Sequence, residues 1–213
     1  MPIGLVPPSK VNRRLDDVFV WKQLVFQECH GSCRASGGEV RVWPLPDPAV
    51  ASGSIPALLQ AMGVTSVLAT IIAPERVVFV PYDEKTKVMG EPVELDPRLD
   101  QVWYRQELME KNMPPAHYAA VTDLFHEAGV RRGFRGGIVA EAEDCLRVAG
   151  LLAVYAVDVC SDVLLMCEGM SLAIKACHEA DVHVYSREDT VLASCTSVMR
   201  GLGLRPYVGV GGS

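Results

Sequence analysis

No stretch of this chain is long and apolar enough to span a bilayer. The longest apolar runs, Leu146 to Val157 and Val67 to Ile72, fall well short of the roughly 20 residues a membrane helix needs. Positive charge is not in excess either. With 20 Lys+Arg against 26 Asp+Glu the formal net charge is −6, which argues against the basic face that bulk nucleic-acid binding requires. Low-complexity tracts are missing and 49% of the residues are hydrophobic, so disorder is excluded. A disulfide framework is missing too: seven cysteines, an odd number without regular spacing, suit reduced thiols and a cytoplasmic protein. The opening Met1-Pro2-Ile3-Gly4 lacks the charged and apolar regions of a secretory leader, and none is expected.

The common chemical signatures are equally scarce. The GxxxxGK[ST] phosphate loop, the GxSxG elbow, HExxH and the EF-hand loop are all missing. Paired carboxylates occur at Asp16-Asp17, at Glu141 with Glu143-Asp144, and at Glu188-Asp189. Sequence neighbours alone do not make an acid and base pair, which needs groups from separate elements.

What is present is enough chain for a substantial core. The 213 residues allow one large domain or two small ones. Residues 1–52 read as an irregular N-terminal segment packing on a core of 53–213, with a division near 158 as the alternative. Within the segment, the run Leu15 to Phe26 satisfies both helical and strand spacing, and Pro44, Pro46 and Pro48 around Trp43 form an extended crossing.

The fold class expected is α/β with a mixed sheet. A helix over Ile55–Met62 ends at Gly63, and Ser66–Ile72 with Arg76–Tyr82 reads as an antiparallel hairpin in the middle of the chain, Lys87–Leu95 adding an edge strand. Helices follow at Leu99–Lys111 and Pro115–Ala128, the second with proline in its first turn and Gly129 at its end. Ile138–Ala140, Val148–Val157 and Val163–Cys167 read as strands, Met170–Ala180 as a helix, Val182–Tyr185 as a strand, Glu188–Leu202 as a helix and Pro206–Val210 as a closing strand. The C-terminal third is thus β-α-β-α-β, a pattern that usually joins parallel neighbours.

Three places could carry chemistry. Cys167 ends a strand just before Glu168-Gly169 and the expected helix, where the helix dipole would lower a thiol pKa and make it a catalytic nucleophile. Its base would be His178 or His183, neither well placed, and the plainer reading is a packed core thiol. Ser186-Arg187-Glu188-Asp189 fits a capping box; Ser186 and Arg187 could also hold a phosphate or carboxylate there. The densest feature is Gly129 to Gly137, with three arginines and four glycines in nine residues. Arg131, Arg132 and Arg135 could grip an anion, Gly133 would let it approach the backbone, and Phe134 could stack on a ring. A helix cap followed by a solvated basic turn is the competing reading.

Cys29-His30-Gly31-Ser32-Cys33 supplies too few ligands for a zinc site, so no metal is expected. Nothing in the sequence identifies a cofactor. The order of helix, Val67–Tyr82 hairpin, helices and two strands within Gly133–Asp158 is similar to that of GAF-type small-molecule sensory domains. The similarity covers roughly half the chain, rests on element order, and ends at the tail after Asp158. It implies a ligand-binding or regulatory role, in line with a domain holding a small anionic molecule. The alternatives are a thiol enzyme using Cys167 and a subunit of a homo-oligomer or larger assembly.

Overall fold

The run from Leu15 to Phe26 contains both of the structures its spacing allows. Strand β1 (Ile3–Val6) leads into helix α1 (Pro8–Val18), and strand β2 (Lys22–Gln27) follows. Val20 in the turn between them is 82% exposed, which breaks the apolar run in two. The computed structural model describes residues 3–18, 20–27, 48–72, 78–79, 82–83, 88–89, 93–94, 102–159, 161–177 and 181–206. The Cys29–Cys33 cluster, the proline crossing around Trp43, His178 and the strand expected beyond Pro206 lie outside them.

Helix α2 (Pro48–Ala61) extends the expected helix by two turns, and strand β3 (Ser66–Ile72) stands as read. Its partners differ from the hairpin expected. β3 lies between β8 (Gly137–Glu141) and β9 (Asp162–Cys167), both antiparallel to it. The following segment pairs with itself instead: β4 (Val78–Phe79) with β7 (Val93–Glu94), and β5 (Tyr82–Asp83) with β6 (Val88–Met89). A local turn signal identifies a reversal of the chain but does not identify the strand it returns to.

Helices α3 (Gln106–Asn112) and α4 (Pro115–Ala128) come next. α4 matches expectation at both ends, with Pro115 in its first turn and Gly129 at φ 77° as a left-handed cap. The run Val148–Val157, expected as a strand, is instead the body of α5 (Glu143–Asp158). Only Gly150 and Leu151 within it escape full burial, and an element buried on every side loses the periodicity that distinguishes helix from strand.

The converse holds after β9. Met170–Ala180, expected as a helix, is a turn and then strand β10 (Ala173–Ala176), antiparallel to both β9 and β11 (Asp181–Ser186). Helix α6 (Asp189–Gly201) and β12 (Arg205–Pro206) close the described chain. The α/β class therefore stands, while the tail is built from antiparallel neighbours and not from parallel crossovers. With those changes the element order behind the likeness to GAF-type domains no longer holds.

The main sheet has eight strands in the order β1-β8-β3-β9-β10-β11-β2-β12, every pair antiparallel. Alternation along each strand sorts its side chains onto two faces. Val67, Ala69 and Ile71, Val163 and Leu165, and Val182 and Val184 join the core shared with α2, α4, α5 and α6. Leu68, Ile72, Leu164, Met166 and Tyr185 turn to the other face, where Val11, Leu15 and Val18 of α1 cover them. No helix of the described residues is long and apolar enough to cross a membrane.

Candidate functional site

The glycine and arginine segment between α4 and β8 is a fixed loop. Phe134 N–H donates to Arg131 O at 3.0 Å, closing a turn. Two residues on, the chain passes so close to β1 that a Cβ on Gly136 would lie 2.1 Å from Val6 O and 2.5 Å from the Phe134 ring. Only glycine fits there.

Trp103 clamps this loop from the other side. Its indole Nε1–H donates to Gly136 O at 2.8 Å and its backbone N–H to Phe134 O at 3.1 Å. The Tyr155 hydroxyl of α5 donates to Trp103 O at 2.6 Å, and burial pushes that phenol's pKa well up. Trp103, Phe125 and Tyr155 pack at centroid distances of 5.5 to 6.0 Å. The loop and residues 103–105 are thus bound to each other and to the core.

Beyond this clamp lies an open groove of about 450 Å³, lined by Tyr104 to Leu108, Glu110 and Arg132. Arg105 is held from behind, its Nη1 donating to Ser161 Oγ at 3.0 Å. Two guanidiniums, two carboxylates (Glu107 and Glu110) and a phenol therefore share the groove. The arginines suit a carboxylate or a single phosphate group; the two glutamates disfavour a large polyanion and can accept a donor from the same ligand.

Of the loop residues proposed for binding, only Arg132 lines this groove. Arg131, Gly133 and Arg135 are exposed outside its lining. Phe134 packs on the core instead of offering a face for stacking. Sequence reasoning missed Tyr104, Arg105, Glu107 and Glu110. The only hint was the Trp103-Tyr104-Arg105 run, which the helical reading of Leu99–Lys111 absorbed.

Cys167 and Ser186 sit at the far end of the sheet. β8 begins beside the arginine loop and ends at Glu141 opposite Ser66, and Cys167 pairs with the next residue, Val67. Strand length alone separates the two ends by roughly 13 Å, and four strand spacings from β8 to β11 add roughly 19 Å sideways. Arg132 and the pair Ser186 and Arg187 cannot form one small-molecule site.

The premise for a reactive Cys167 is also missing. The chain after it is a turn, closed by Cys167 N–H donating to Leu172 O at 2.9 Å, so no helix dipole lowers the thiol pKa. Burial pushes it up, and nearby Cys145 and Cys195 add to this. Iodoacetamide on the native protein should leave Cys167 unmodified while urea-unfolded protein is labelled, as peptide mass spectrometry would show; native labelling would restore the nucleophile reading. Ser186 has a structural job. Its Oγ accepts Glu188 N–H at 3.0 Å, and the N-cap position of α6 belongs to Glu188, whose side chain makes no capping bond. Ser171 Oγ donates to the Glu188 carboxylate, and Arg187 is exposed.

Other polar features lack the geometry of a site. Ala142, at φ 51° and ψ −126°, forms a strained strand-to-helix turn of the kind that displays nucleophiles, but it carries only a methyl group. His117 Nδ1 lies 3.0 Å from Asp158 Oδ2; burial pushes the Asp158 carboxyl up while His117 pulls it down. Among the described residues no three His, Cys, Asp or Glu side chains gather closely enough to hold a metal ion. No family model, curated protein or solved structure matches this chain.

Proposed function

We propose that this protein binds a small molecule carrying a carboxylate or single phosphate group in the groove between Tyr104–Glu110 and Arg132, and that it acts by binding and not by turnover. The observation that carries this reading is the lining itself. Arg132, from the glycine-rich loop, and Arg105, twenty-seven positions earlier in the chain, line one open groove; Arg105 is held by its bond to Ser161 Oγ, and Arg132 sits within the turn that Phe134 N–H closes onto Arg131 O. The Arg105 guanidinium, held on Ser161 Oγ, loses little freedom when it forks onto an anion.

The groove's two carboxylates narrow the ligand class. Glu107 and Glu110 favour a ligand that also carries an amine or another donor, and they oppose nucleoside triphosphates. The thiol-enzyme reading has no comparable support, since its cysteine is fully buried.

A thermal-shift screen of phosphorylated metabolites, amino acids, dicarboxylates and nucleotides tests the proposal. A ligand at 100 times its Kd should add about 2.7 kcal/mol of stability. Arg132→Ala is expected to weaken binding at least tenfold, while Arg131→Ala, outside the groove, leaves it unchanged. Equal loss in both variants would mean general charge attraction and no site, and a shift untouched by Arg132→Ala would place the ligand elsewhere.

A further inference from the structure

A second groove, on the opposite side of α4, has a different character. α5 is apolar almost all round, and between Val148 and Val157 only Gly150 and Leu151 remain part-exposed. With Leu146 they form a strip on its outer side, walled by Pro56 of α2 and Ala120 of α4, in a groove of about 560 Å³. α2 has no charged residue anywhere in its sequence PAVASGSIPALLQA. A helix on the outside of a globular layer normally carries charge on its outward face. Here the uncharged helix and the half-covered strip of its neighbour meet along one line.

The borders of this groove are acidic. Asp123 stands exposed on its wall. The one cation there, Arg147, is already engaged, with Nη2 at 2.9 Å from Glu127 and 2.7 Å from Asp144. Arg147 and its two partners together carry one net negative charge, and Asp123 adds a second. A second copy of the chain seated on the same groove would set this net negative charge against its own counterpart in a protein of net charge −6, which like-charge repulsion opposes.

We propose that this groove docks an amphipathic helix of another protein, its apolar ridge seated on Leu146, Gly150 and Leu151 and its flanks carrying Lys or Arg. Such helices present anchors at i, i+3/i+4 and i+7 to a groove. The missing side chain at Gly150 and the short one at Ala120 leave room for close approach of the ridge.

Selection of a displayed library of helix-forming peptides on the folded full chain tests this. The peptides recovered should combine helically spaced apolar anchors with Lys or Arg flanks. They should bind Asp123→Lys, altered only at an exposed position, at least tenfold more weakly than the unaltered protein, and should also lose affinity for Ala120→Tyr, which fills the groove. If Ala120→Tyr does not fold, Asp123→Lys decides alone. Failure to enrich any binder, absence of a basic bias, or undiminished binding to Asp123→Lys would overturn the proposal. So would a dimer in light scattering that Asp123→Lys alters, since the occupant would then be a second copy.

Discussion

Trp103→Ala is expected to cost about 3–5 kcal/mol of stability, the range for removing a large buried aromatic, and to abolish ligand binding in the Arg132 groove as well. Trp103 is fully buried. It stacks against Phe125 and Tyr155 and holds both Phe134 O and Gly136 O. Truncation leaves a cavity at the centre of this cluster and removes the indole donor from Gly136 O, where Thr70 Oγ1 remains only at 3.4 Å. Trp103→Phe separates the two effects. It keeps most of the apolar volume and the backbone bond to Phe134 O, and loses only the indole donor, at about 1–3 kcal/mol for a buried group left poorly satisfied. Urea unfolding followed by circular dichroism gives the stabilities. Proteolysis should cut between Gly129 and Gly137 in the alanine variant but not in the phenylalanine one. If Trp103→Ala lost stability yet bound ligand normally, the clamp would be irrelevant to the groove.

This dependence explains how much of the site could be read from the chain alone. Arg132 was visible because arginine and glycine crowd together locally, a signal that needs no tertiary knowledge. Arg105 was invisible because its position beside Arg132 is set by Trp103 reaching Gly136, a pairing between distant segments. The fold divides in the same way. α4 carries its own start and stop in Pro115 and Gly129, and α6, β9 and β11 have ends or alternation that local chemistry fixes. α5 and β10 exchange types because both are enclosed. Val148 to Val157 is rich in β-branched residues yet continues unbroken from Glu143 through 16 residues, a length for a helix and not for a strand. Ala173 to Ala176 is buried on both faces, and such a strand shows no alternation. The reactive-thiol reading lost its premise with β10, since it was argued from a helix beginning just after Gly169.

Removal of the Lys175 ammonium should be about as damaging, for an electrostatic reason. Lys175 lies on the α1 face of β10, cross-strand from Leu164 and from His183, and its Nζ is 3.6 Å from Asp162 Oδ2 on β9. The two side chains are 6% and 2% exposed. Buried charges of opposite sign tolerate each other because each offsets the other's desolvation, and deleting one partner typically costs about 3–5 kcal/mol. Lys175→Ala should therefore lose about that much at pH 7. Lys175→Met with Asp162→Asn removes both charges while keeping much of the volume, and should recover most of the loss, because a buried pair adds little beyond what apolar packing supplies. Urea midpoints at pH 7 for both variants decide the matter. No recovery in the double variant would mean that Lys175 stabilises the sheet through its methylene stem packed against its neighbours and not through its charge.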